Sequence, residues 1–228
     1  MHSLDNPIWQ ALTTAQARLS EGDGIARRFQ REVSILGACA EPTDKAFYSL
    51  AGLLKTGDRI GLFLEAPPQH LSALKITSAV PLLQMVHLKD QVEANGEQTH
   101  KLEIMQLGSS DVTDMLTLTA LTKPGPFNKR TIEMGDYFGI RDGDKLVAMA
   151  GERLHFPGLT EISAVCTHPD HLGRGYARRL VLYLMRKIYD RGEKPCLHVR
   201  PENRRAVELY ERLGFAKSKL SQYVILSR

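Results

Sequence analysis

Two glycines, an arginine between them and a small residue two places on follow an apolar run in HPDHLGRGYARRL, residues 168–180. A strand that turns through glycines into a helix presents backbone N–H groups and a helix dipole to an anion, and phosphate is the usual guest. Gly173 and Gly175 let the backbone approach a ligand, Ala177 keeps the first helical turn unobstructed, and Arg174, Arg178 and Arg179 add positive charge. The plain alternative is a tight turn with solvated arginines, because short glycine patterns arise often by chance. Two nucleotide motifs are excluded by their spelling. No GxxxxGK string followed by Ser or Thr exists, and the acidic residue expected about 20 positions after a dinucleotide turn is absent, since Asp190 falls within the helix.

Other reactive residues give weaker patterns. Cys39, Cys166 and Cys196 are far apart and form no CxxC pair, which suggests neither a disulfide framework nor a zinc ribbon. His155, His168, His171 and His198 show no metal-ligand spacing with thiols or carboxylates, and His198 alternates with Leu197 and Val199 as a strand histidine held by hydrogen bonds would. Glu152 interrupts an apolar strand and belongs either on a solvated face or in a substrate cleft. Net charge is +4 overall but uneven, +9 over residues 173–228 and −5 over the first 172. An anionic partner for the last quarter is the natural reading. The opening residues lack a signal-type apolar core and no run is long enough to span a bilayer, so a cytoplasmic protein with no membrane partner is expected.

The elements that would position this turn follow from periodicity. A polar stretch, DQVEANGEQTHK (90–101), suggests a boundary between an N-terminal α/β domain, 1–95, and a second domain, 96–228. The first half reads as a helix over 7–19, a strand near 31–38, a helix over 44–54, and strands over 59–66 and 80–88. In the second half a strand at 102–108 precedes a helix capped by Ser110 or Asp111 and a short helix at 127–135. Asp142-Gly143 then joins a hairpin. TEISAVCTH (160–168) is a strand, and Ala177, Leu180, Val181, Leu184 and Ile188 form the stripe of an amphipathic helix that Gly192 ends. A strand over KPCLHVRP, a helix capped by Asn203 with Ala206, Leu209, Tyr210 and Leu213 on one face, and a strand at 221–226 close the chain. The expectation is an α/β fold with a mixed sheet.

Set beside NRRAVELYERLGF (203–215), the string AVCTHPDHLGRGYARRL resembles the GNAT superfamily of acyl-CoA-dependent N-acyltransferases over roughly residues 102–228. The resemblance implies a mostly antiparallel central sheet flanked by helices and a cosubstrate, acetyl-CoA, with no metal. It assigns the pyrophosphate to the backbone of Leu172, Gly173, Arg174, Gly175, Tyr176 and Ala177, with Arg178 nearby. Leu172 stands where Arg or Gln is usual in the family, which removes one side-chain contact but not the backbone cradle. Val165 and Thr167 would pair with the pantetheine arm, with Cys166 between them as a small strand hydrophobe, and Asn203 would both cap its helix and touch the cofactor.

Direct attack of an amine on the thioester expels a thiolate, and Tyr210 matches the position whose phenol protonates it. Its alternative is a core aromatic on the apolar helix face. Glu161 lies 14 residues before Gly175, the offset of the general-base glutamate in the histone-acetyltransferase branch. It is equally well read as a strand-end surface carboxylate. An acyltransferase of N-acetyltransferase type is thus expected. The layout is similar to glycine N-acyltransferase-like proteins, which points to a small amine or amino acid as acceptor, with a protein N-terminus or lysine as the other reading. A silent acyl-CoA sensor is a third possibility. A nucleic-acid binder is disfavoured because the basic residues interleave with the turn motif and no nucleic-acid fold signature occurs. Oligomeric state is not legible.

Overall fold

The computed structural model describes residues 3–89 and 103–228. The chain runs α1 (Pro7–Thr13), β1 (Ser20–Gly22), β2 (Ala26–Phe29), β3 (Gly37–Cys39), α2 (Asp44–Gly52), β4 (Arg59–Leu64) and β5 (Lys75–His87). After the undescribed segment come β6 (Met105–Leu107), α3 (Val112–Thr122), β7 (Tyr137–Asp142), β8 (Lys145–Phe156), β9 (Leu159–Thr167), α4 (Tyr176–Asp190), β10 (Lys194–Val199), α5 (Arg204–Arg212) and β11 (Phe215–Ser227). Strands β1 to β3 form a small sheet. The other eight form one sheet in the order β4-β11-β5-β10-β9-β8-β7-β6, antiparallel throughout except for the parallel pair β9 and β10. The α/β expectation with a mostly antiparallel sheet is met.

The helices sit where their apolar stripes direct them. Leu180, Val181, Leu184 and Ile188 of α4 are fully buried against Phe138, Ile140 and Leu197, and α5 adds Val207 and Tyr210 to the same core. On the opposite face, where the alternate residues Tyr137 and Cys196 point, Met115 and Leu118 of α3 and Ile8 and Leu12 of α1 close the other side. Asn203 accepts a hydrogen bond from the Ala206 amide at 3.2 Å, as expected of an N-cap.

Three local expectations need correction. The strand expected near 31–38 is two short strands, β2 and β3, parted by a turn in which the amides of Val33 and Ser34 donate to the Gln30 carbonyl. The helix expected over 7–19 stops at Thr13, where the Thr13 and Thr14 hydroxyls donate to the backbone carbonyls of Trp9 and Gln10 and compete with helix propagation. The helix expected over 127–135 is a single 3₁₀ turn, Thr131–Met134, fixed by the Thr131 hydroxyl donating to the Val33 carbonyl across 98 residues.

Strand β5 is inserted between β10 and β11, pairing with β10 from Leu83 to Val86 and with β11 over nearly its whole length. The sheet therefore draws strands from both sides of residues 95 and 96, and that division itself lies outside the described residues. No helix among the described residues is long and apolar enough to cross a membrane.

Candidate functional site

The site begins where two parallel strands part. β10 and β9 pair from Lys194–Leu159 to Leu197–Ile162 and no further, so the edge of β9 from Ser163 to Thr167 has a ladder only with β8. The cause is a bulge. Ala164 adopts φ 52°, a left-handed conformation rare for alanine, and the register against β8 shifts between Met149–Cys166 and Gly151–Ser163. One extra residue on β9 bends it away from its neighbour and leaves backbone groups of Val165 and Thr167 open to a ligand.

Below that opening lies a cavity of about 450 Å³ lined by Val165, Cys166, Thr167 and the turn into α4. Gly173 and Gly175 sit at φ 81° and 76°, and a Cβ at either position would meet open space, so their conformation rather than crowding demands glycine. His171 at the end of the preceding 3₁₀ turn is held by Asp142 of the hairpin at 3.0 Å. Leu172, Gly173, Gly175, Tyr176, Ala177, Arg178 and Asn203 all line the cavity. Arg174 is exposed and is not among the lining residues, whereas Arg205 and Arg212 of α5 are, two cations that the sequence did not single out.

A second cavity of about 590 Å³ shares Val165, Cys166, Thr167, Asn203, Ala206 and Tyr210 with the first, so the two are ends of one cleft. Tyr210 stands at the junction, 7 % exposed, its hydroxyl without a hydrogen-bond partner among the described residues. Burial raises its phenol further and keeps it protonated. Cys166 is buried with its thiol pushed up to about 11 by that burial, which makes it the small strand hydrophobe expected and a poor nucleophile at neutral pH.

Glu161 is not placed as either sequence reading had it. It is fully buried and does not line the cleft. Arg153 donates to it through Nε and Nη2 at 2.8 and 2.6 Å, and His198 Nδ1 donates at 2.6 Å. Burial disfavours its charge, but Arg153 and His198 override that and hold the carboxyl at about 2, too weak a base to take a proton from an ammonium. Glu152 occupies neither a solvated face nor the cleft. It is buried in a separate ion pair with Arg191 at 2.7 Å, with His155 Nε2 3.3 Å away. Among the described residues no group of His, Cys, Asp or Glu is arranged to hold a metal ion.

Strand order explains what the sequence missed. The far end of the cleft is built by Phe63 of β4, Arg153 of β8, His198 and Arg200 at the end of β10, Tyr223 of β11 and the loop 122–126 after α3. Only the strand order, β4-β11-β5-β10, places β4 and β11 on the same flank of the sheet as the end of β10, with β5 between. The adjacent charges Glu152 and Arg153 inside an apolar run were the one available signal.

Comparison with known proteins agrees with this geometry. The family model described as FR47-like protein matches residues 137–224. A protein from Novosphingobium aromaticivorans described as a GNAT-family acetyltransferase is 33 % identical over 100 % of this chain and 99 % of its own, with a TM-score of 0.88. A GCN5-related N-acetyltransferase from Kribbella flavida superposes at TM-score 0.68 with 18 % identity, covering 100 % and 96 % of the two chains. A GCN5-related N-acetyltransferase-like protein from Streptococcus suis does so at 0.60 with 15 % identity over 97 % and 92 %. No curated protein sequence matches. With a full-length relative at that identity and the parted strands, glycine turn and capped helix all in place, the chain belongs to the GNAT family of acetyltransferases.

Proposed function

We propose that the protein transfers an acetyl group from acetyl-CoA to a small primary amine by direct attack, in a reducing compartment such as the cytoplasm. The observation that carries this reading is the continuous cleft through the parted strands, with a positive-φ glycine turn at one end and an unpartnered phenol at its centre. The buried, unpaired thiols of Cys39, Cys166 and Cys196 suit such a compartment.

The chemistry divides along the cleft. The backbone from Leu172 to Ala177, at the start of α4, would bind the pyrophosphate, with Arg178, Arg205 and Arg212 as counter-charges. The open edge of β9 at Val165 and Thr167 would align the pantetheine arm by backbone hydrogen bonds, fixing the thioester near Tyr210. When bound, acetyl-CoA supplies the electrophilic carbonyl and a thiolate leaving group. Tyr210 stays protonated in its buried setting and donates to that sulfur. No carboxylate lines the acceptor end among the described residues, and Arg200 and Lys123 do, so the cations themselves favour the neutral amine that must attack.

Calorimetry with acetyl-CoA tests the assignment: saturable binding at micromolar ligand is expected, and none would overturn it. Tyr210→Phe is expected to lower kcat by about 10²-fold while leaving acetyl-CoA affinity within about twofold. An unchanged kcat removes Tyr210 from the mechanism.

A further inference from the structure

The acceptor end of the cleft is chemically one-sided. Arg153, His198, Arg200, Lys123 and Tyr223 all line it, while Asp and Glu are absent from its described lining. Several of these donors have capacity to spare. Arg153 uses Nε and Nη2 to hold Glu161 from behind, so its Nη1 edge remains for the cleft, and its guanidinium is further located over the Phe63 ring at 5.6 Å. His198 is already committed, its Nδ1 donating to Glu161 at 2.6 Å and its Nε2 accepting from the Gln84 side-chain amide at 3.2 Å. The side chain of Arg200, just past the end of β10, makes no hydrogen bond or ion pair among the described residues, while its carbonyl accepts from the Asn203 amide at 3.0 Å. The Tyr223 hydroxyl is buried and without a partner, a state that costs stability unless something fills it.

Arg153, Arg200 and Tyr223 line the same cavity. Burial raises the Tyr223 phenol, and the charges of Arg153, Arg59 and Arg200 work against that shift. Tyr223 is itself fixed by contact: a Cβ on Gly61 would come within 2.5 Å of its ring and hydroxyl, so the ring lies flat against the β4 backbone and has little room to turn away. Cations lining one cavity without an opposing carboxylate, with aromatic walls from Phe63 and Tyr223, form a receptor for a planar anion rather than for a second positive charge.

We propose that Arg153 and Arg200 form a carboxylate-binding subsite, and that the acceptor is therefore an amino acid, its amine presented to the thioester and its carboxylate held by the arginines. This rests on the transferase reading and names its acceptor class. Cationic acceptors, such as polyamines, and lysine-rich peptides meet repulsion at this end of the cleft. The aromatic walls favour an apolar side chain on the amino acid.

The test uses matched acceptors with acetyl-CoA, read as free thiol released: phenylalanine against phenylalaninamide and phenethylamine, and leucine against leucinamide. The carboxylate-bearing member of each set is expected to have kcat/KM at least about tenfold higher, the scale of one charge-assisted contact in a partly open site. Arg200→Ala is expected to raise KM for the amino acid by about tenfold and bring the acid-to-amide ratio towards one. Arg200→Glu is expected to invert that ratio, with acetyl-CoA affinity by calorimetry unchanged in both variants. Equal or better use of the amide or of phenethylamine overturns the proposal while leaving the transferase reading intact. An Arg200 variant that shifts acid and amide equally also overturns it. Failure of the wild-type protein to bind acetyl-CoA overturns both.

Discussion

At the scale of single residues, Glu161 shows how a motif position and its chemistry separate. It has the sequence offset of a general base, yet its carboxylate spends both oxygens on Arg153 and His198. Its part is to position those two side chains. Because its folded pKa is held at about 2 against an ordinary 4.5, its contribution to stability is fully present above pH 4.5 and is lost as the pH falls from there towards 2. Glu161→Gln leaves the Arg153 charge buried without its partner, so the expected outcome is a loss of about 3–5 kcal/mol in denaturant unfolding at neutral pH. The variant's stability is also expected to vary less than the wild type's between pH 4.5 and 2. The pH dependence of kcat above pH 6 should keep its shape, and loss of its rising, acidic limb would return Glu161 to the role of base. Tyr210 differs: the family resemblance singled it out while helix spacing suggested a core aromatic, and its hydroxyl is without a partner among the described residues where the two cavities meet.

At the scale of elements, the glycine turn and its helix were legible because local rules write them: positive φ for two glycines, an apolar stripe of period 3.6, and Gly192 to end it. That supplies an internal control. Gly175 and Gly192 flank α4 at φ 76° and 74°, both in open space, so alanine at either carries the same strain of about 1–2 kcal/mol. Both variants are expected to lose a few degrees in Tm, but only Gly175→Ala should weaken acetyl-CoA binding in calorimetry. The bulge at Ala164 was not legible, since TEISAVCT alternates like any regular strand and only pairing with β8 shows the extra residue. The threonine-rich stop of α1 and the turn between β2 and β3 were missed because side-chain hydroxyls and backbone turns overrode a correct apolar pattern.

At the scale of the whole molecule, the second half was read nearly in full, strand by strand, whereas the place of β4 and β5 was not, because pairing between strands so far apart in sequence leaves no local trace. Their position governs how the chain behaves when divided. A fragment of residues 96–228 would expose the edges of β10 and β11 that β5 normally fills. It is expected to aggregate or to lack a cooperative unfolding transition, and co-expression with residues 1–95 is expected to restore one. A fragment that unfolds cooperatively alone would establish two independent domains. The same insertion sets an order in time. During synthesis β5 emerges early, but one of its partners is β10 and the other is β11, at residues 194–199 and 215–227. Most of the chain must leave the ribosome before that central strand finds either edge, so closure of the sheet is a late, long-range event, and the nascent protein passes its most exposed interval with β5 still unpaired.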